Sequence, residues 1–171
     1  MPPILWFAFA YQAPAEPSKA RVYIWRKLKE CGAVYLKQGV AVLPKSQSSL
    51  IKFKSLAAKT RDMGGEAVIT EMRFIDSRDE SDMISKFQIR SQEEYREMIA
   101  EITGLKESLR QKTIADDRHD RLKRTARRYR QVRSRDYFKS RSLPEIAAAL
   151  DELFGDMARA TDDLARYFTD K

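Results

Sequence analysis

The sequence predicts an α+β protein: a ferredoxin-like sandwich, with two helices on a four-stranded antiparallel sheet, extended by about three long C-terminal helices. Three observations predict it. Ile4 to Ala10 is a continuous apolar run of strand length containing Trp6, Phe7 and Phe9. The patterns that follow read as helix, hairpin, helix and strand before Asp76. Beyond Asp76 only Gly104 and Gly155 remain of the six glycines, and apolar residues recur at spacings of three and four. The expected organisation is therefore a ferredoxin-like unit over 1–76 and a helical extension over 77–171 packed on it.

The first strand reads as buried on both faces, and Pro14 and Pro17 end it. Ser18 is the expected N-cap of a helix from Lys19 to Cys31, with Gly32 as its stop. Ile24, Trp25, Leu28 and Cys31 are the expected inner face, and Arg26, Lys27 and Lys29 the outer one. Ala33 to Leu36 and Gly39 to Leu43 then form a hairpin about Lys37-Gln38-Gly39 that ends at Pro44. A second helix starts near Ser46 or Ser48 and runs to Met63, burying Ile51, Phe53 or the stem of Lys52, Leu56 and Ala57, and Gly64-Gly65 stops it. Ala67 to Phe74 is the last strand.

Asp76 to Asp82 reads as a polar linker. Tyr95, Met98, Ile99, Ile102, Leu105 and Leu109 form one stripe, so Gln92 to Lys112 is an amphipathic helix. A basic helix follows at about 114–136, with a thin apolar stripe of Ile114, Leu122, Ala126, Tyr129 and Val132. Ser142-Leu143-Pro144-Glu145 has capping-box spacing with Pro in the first turn. It opens a helix through Phe168 that buries Ile146, Leu150, Leu153, Phe154, Met157 and Leu164.

Composition narrows the function classes. A chain of 171 residues buries roughly 70 % of its unfolded surface, enough for a core without disulfides or metals. Cys31 is the sole cysteine and His119 the sole histidine, which argues against a disulfide framework and against zinc or iron–sulfur sites. The longest apolar run falls far short of the ~20 residues that span a bilayer, so no membrane insertion is expected. No Lys or Arg precedes that run, it is short, and it supplies the best strand, so it is not read as a signal peptide. The cytoplasm is the expected location.

Charge is concentrated. Arg118 to Arg135 holds nine Lys or Arg against one acid, Asp120, a local balance of +8 that equals the net charge of the whole chain. The remainder is neutral in sum, so the function of the charge is sought in this segment. Arg121, Lys123, Arg124, Arg127, Arg128, Arg130, Arg133 and Arg135 are the candidate phosphate contacts. Neutralising four or five phosphates would release counterions and give log K against log salt a slope near −4. The competing reading pairs these arginines with acids of neighbouring helices such as Asp151, Glu152 and Asp156. Arg21, Arg26 and Lys27 are a second candidate set, for an oxyanion or a phosphate.

Enzymatic signatures are missing: no phosphate-cradling glycine loop, nucleophile elbow or paired histidines occur. Adjacent acids such as Glu93-Glu94, Asp116-Asp117 and Asp162-Asp163 point about 100° apart on a helix and do not converge on one bond. The expectation is a binding protein, not an enzyme, with no cofactor and no metal.

Several stretches carry a family resemblance: Trp6 and its strand, Pro14 to Arg21, Trp25-Arg26-Lys27-Leu28, Gly32-Ala33, Gly39 to Pro44 and Gly64-Gly65-Glu66-Ala67, then Glu94-Tyr95 and Arg135-Asp136-Tyr137-Phe138. In order and spacing they resemble the N-terminal domain of the chromate-resistance regulators known as ChrB, without the second, C-terminal domain of full-length members. The resemblance implies a bacterial cytoplasmic regulator that binds DNA, linked to chromate or another oxyanion. The N-terminal half also looks like small CRISPR-associated ferredoxin-like nucleases and the core of phenylacetate-type repressors. Those nucleases hold a metal with an acid just after the first strand, where this chain has Gln12, a poor ligand for a hard cation. The architecture they share implies a homodimer. A regulatory protein that binds DNA through its basic helix is the expected function; a protein-interaction or dimerisation module and a metal-dependent nuclease are the alternatives.

Overall fold

The computed structural model describes residues 4–14, 18–110, 115–140, 144–149, 151–153 and 155, with the side chains of 108–110, 115–119 and 122 left aside. The elements are β1 (Trp6–Gln12), α1 (Lys19–Cys31), β2 (Val34–Lys37), β3 (Val40–Pro44), α2 (Gln47–Asp62), β4 (Glu66–Met72), α3 (Ser77–Arg110) and α4 (Ala115–Ser134). The four strands form one antiparallel sheet in the order β2-β3-β1-β4, as a ferredoxin-like sandwich requires. Two compact units divide the chain, 1–87 and 88–171.

In the first unit β1 lies between β3 and β4, which explains why its sequence is apolar without alternation. Its two faces meet different partners. Phe9 packs on Phe53 of α2 at 5.3 Å between ring centroids and on Tyr11 at 5.4 Å. On the other face the fully buried Trp6 ring meets Phe74 edge-on at 5.7 Å and Phe87 of α3 at 5.8 Å. Its indole Nε1 and the Ile4 backbone N–H both donate to Glu80 Oε1, at 3.1 and 3.2 Å. An aromatic ring this size is buried without cost only because its one polar atom is satisfied.

Local signals set the helix ends. Gly32 adopts a left-handed φ of 81° and closes α1, its N–H bonded to the Leu28 and Lys29 carbonyls. Ser46 is extended and its hydroxyl accepts from the Ser49 N–H at 3.0 Å, a true N-cap for α2. Gly39, at a φ of 76°, carries the β2–β3 turn. A bulge between Tyr35 and Lys37 shifts the pairing of that hairpin.

Four sequence expectations are corrected. Ser18 is already helical and makes no side-chain cap. Trp25 is 51 % exposed, because it lies about 100° around the helix from Ile24 and off the buried seam of Ala20, Ile24 and Leu28. Ile51 is 58 % exposed for the same reason, opposite the seam of Ser49, Phe53, Leu56, Ala57 and Thr60. The stretch after Asp76 is no linker: α3 begins at Ser77, and Asp76 Oδ1 accepts from the Arg78 N–H at 2.8 Å. Its Met83 and Phe87, one turn apart, are both buried.

The second unit is helical. Tyr95, Met98, Ile102 and Leu105 of α3 join Val132 of α4, Ile146 and Leu153 in a buried cluster, with Ile99, Tyr129 and Ala149 at its edge. Residues 144–149 and 151–153 are helical, where the sequence predicts a helix. Ser142, Leu150, Phe154, Met157 and Leu164, together with Ile114 and the Leu122 side chain, lie outside what is described.

Candidate nucleic-acid interface

Helix α4 is held to α3 by a polar seam alongside its apolar one. Arg128 spans two α3 carboxylates, with Nη1 donating to Glu101 Oε2 at 2.8 Å and Nη2 to Glu97 Oε2 at 2.6 Å. Thr125, fully buried, donates its hydroxyl to the other Glu101 oxygen at 2.5 Å. Just past the end of α4, Arg135 Nε donates to Glu94 Oε2 at 2.9 Å, and Glu94 also takes Arg90 at 3.3 Å. Tyr95 donates its hydroxyl to Asp136 Oδ2 at 3.1 Å, and the same oxygen accepts the Ser140 N–H at 2.8 Å. Burial first, then the neighbouring Asp136 carboxylate, hold the Tyr95 phenol well above its ordinary pKa.

Two of the eight candidate cations, Arg128 and Arg135, are thus bound to carboxylates of α3. Arg121 and Arg124 line a small open cleft of about 190 Å³ with Glu101 and Leu105, and Arg124 Nε donates to the Asp120 carbonyl at 3.3 Å. Lys123, Arg127, Arg130 and Arg133 are exposed. Lys123, Arg127 and Arg130 fall at i, i+4 and i+7, so they form one row on the side of the helix away from Thr125 and Val132. No acid among the described residues pairs with Lys123 or Arg127. Among the described residues the acids paired with α4 and Arg135 are Glu94, Glu97 and Glu101, in place of the Asp151 and Glu152 expected from the sequence; Glu152 pairs with Lys106 of α3. Asp156 lies outside the described residues.

The second candidate set is not brought to one point. Arg21 and Arg26 are exposed and five residues apart on α1, about 140° around its axis. Arg26 and Lys27 flank Tyr23 and share Glu30, at 3.7 and 2.6 Å. Gln12 ends β1, and among the described residues no group of three or more His, Cys, Asp or Glu side chains is placed to hold a metal ion. No helix among them is long and apolar enough to cross a membrane.

Sequence reasoning also missed a feature of the first unit. Residues 19–61 contain eleven Lys or Arg and a single acid, Glu30, which the neutral sum outside the basic helix conceals. Counting charge element by element, and not against the chain total, would have found it.

No solved structure matches the chain. Protein ChrB of Cupriavidus metallidurans is 26 % identical over 156 residues, which cover 89 % of this chain and 44 % of that protein. The chain therefore spans less than half the length of that relative. The family described as Protein ChrB, N-terminal, matches residues 21–169, nearly all of the two units described above, and the chain belongs to that family.

Proposed function

We propose that this chain is a regulatory protein of chromate resistance that binds duplex DNA with the outward row of α4. The observation that carries the reading is the division of labour on that helix. Arg128 and Arg135 are engaged by α3 carboxylates, while Lys123, Arg127 and Arg130 stand exposed in a single row. A row spanning seven residues covers about 10 Å of helix axis, a length that matches a few backbone phosphates. Contacts of this kind position a protein on DNA and carry no sequence information by themselves. The chromate connection and the regulatory role come with the ChrB family, whose N-terminal domain matches residues 21–169. The reading places the chain in the cytoplasm as a binding protein, with chromate or another oxyanion as a second ligand and a homodimer as the acting form.

The test is fluorescence anisotropy of a labelled duplex at several salt concentrations. Wild type is expected to bind with a log–log salt slope of about −3 to −4. Lys123→Glu, Arg127→Glu and Arg130→Glu together are expected to abolish binding with the helical circular dichroism unchanged. A wild type that fails to bind at low salt, or a folded triple variant that binds as tightly with the same slope, overturns the proposal.

A further inference from the structure

Helices α1 and α2 form a second cationic surface, in the other unit. Together the two helices carry nine Lys or Arg against two acids, Glu30 and Asp62, a balance of +7. Lys19, Arg21, Arg26 and Lys29 on α1, and Lys54, Lys59 and Arg61 on α2, are exposed. So many like charges on two short helices repel one another, and the arrangement is relieved by a bound polyanion.

The same surface carries apolar groups that an isolated domain would turn inward. Trp25 is 51 % exposed and its neighbour one turn back, Val22, 60 %. Lys29 Nζ sits 5.3 Å from the Trp25 ring centroid. Between α1 and α2 runs an open groove of about 520 Å³, lined by Tyr23, Lys27, Glu30, Ile51 and Lys52, with Lys27 paired to Glu30. The exposed aromatic face of Trp25, set among the cations of α1, matches a ligand that offers π-faces and negative charge together. An unpaired nucleotide strand does so; a duplex hides its base faces in the stack, and an acidic peptide has no regular succession of rings.

We propose that the outer face of α1 and α2 binds single-stranded nucleic acid, with Trp25 as a stacking platform for a base and the flanking lysines and arginines on the phosphates. This surface is separate from the duplex contact proposed for α4, and each stands without the other.

Trp6 is fully buried and Trp25 half-exposed, so a ligand on this face is read directly by tryptophan fluorescence. The full chain is titrated with poly(dT) of about 20 nucleotides, longer than a footprint of ~4–16, and with a duplex of the same length. Oligothymidylate is expected to quench the emission, and Trp25→Phe to remove the quenching. By anisotropy, Trp25→Ala is expected to weaken oligothymidylate binding about 10-fold or more. Arg26→Gln, Lys29→Gln and Lys54→Gln together are expected to weaken it further and flatten its salt dependence. The α4 triple variant is expected to leave quenching unchanged, so a failure of the duplex reading and a failure of this one are told apart. Oligothymidylate binding that neither quenches nor responds to Trp25→Ala, quenching as strong with polyglutamate, or the absence of any binding overturns the proposal.

Discussion

The two cationic surfaces rest on unlike supports. Helices α1 and α2 lie on a sheet through apolar contacts, with Phe53 against Phe9 and with Ile24, Leu28, Leu56 and Ala57 buried. One of their cations also ties helix to sheet, Arg61 of α2 donating to the Ala67 carbonyl of β4 at 2.7 Å, whereas Arg26 and Lys27 of α1 converge on the exposed Glu30. Helix α4 has a thinner apolar stripe and supplements it with charge. Arg128 and the buried Thr125 hydroxyl both depend on Glu101, and Arg135 depends on Glu94. A helix so rich in arginine buries too little hydrocarbon to dock by the hydrophobic effect alone, so part of its charge becomes structural. Cationic residues on the two surfaces consequently differ: Arg26 and Lys27 on α1, whose described partner is an exposed acid, are open to exchange at little cost in stability, and those on the inner side of α4 are not.

The largest expected effect tests the apolar support. Phe53→Ala removes a fully buried ring from between α2 and β1 and is expected to destabilise the protein by about 3–5 kcal/mol, read as a lower midpoint in denaturant. A loss below about 1 kcal/mol would mean that α2 is held by something other than this contact, and the comparison would fail at its first step.

Polar support is tested by Glu101→Ala. The substitution leaves a buried Thr125 hydroxyl without its acceptor and one arm of Arg128 without a partner. An unsatisfied buried hydroxyl costs about 1–3 kcal/mol, whereas the half-exposed Arg128 pair adds less than about 1 kcal/mol after solvent screening. A total near 2 kcal/mol is expected. Glu101→Ala combined with Thr125→Val is expected to recover much of it, since the orphaned group is gone. Failure of that rescue would shift the weight from the hydroxyl to the arginine.

How far these supports were legible follows from what each needs. The sheet, with its order of strands and helices, was legible because apolar runs and glycine stops are local: β1, the Gly32 stop and the Ser46 cap stand where the sequence puts them. The first turns of α3 were not. Only one narrow stripe there is apolar, and Asp79, Glu80 and Asp82 made a helix start resemble a linker. The cations of the basic helix were equally plain, but their carboxylates were not, because Glu94, Glu97 and Glu101 lie 27 to 41 positions away from their partners. Spacing along a chain names charges without naming which pairs fold together. Trp25 was assigned inward for a related reason: adjacent helical residues share a neighbourhood in sequence and not a face.

The smallest expected effect is one of pH, and it separates the two units by the partner that each of two phenols has, the buried Tyr95 and the half-buried Tyr35. Tyr95 donates to a carboxylate, whereas the Tyr35 and Tyr11 hydroxyls share a hydrogen bond of 2.9 Å in which either oxygen can donate. Burial raises both phenols above their ordinary value; the Asp136 charge adds to it for Tyr95, and the Tyr11 hydrogen bond for Tyr35. A raised folded pKa means that the neutral form is favoured in the folded state. Each contribution is therefore complete below the unfolded value of about 10 and disappears as pH rises from there through the folded value. Wild-type stability is expected to be unaffected by these phenols between pH 7 and 9 and to decline beyond about 10. Tyr95→Phe is expected to lower stability by about 1 kcal/mol at pH 8, the worth of one hydrogen bond, and to make the alkaline decline shallower. Tyr35→Phe is expected to remove the other part of that decline. If Tyr95→Phe unfolds on the same alkaline slope as wild type, the Tyr95–Asp136 contact contributes nothing to the coupling, and the second unit is no more dependent on polar contacts than the first.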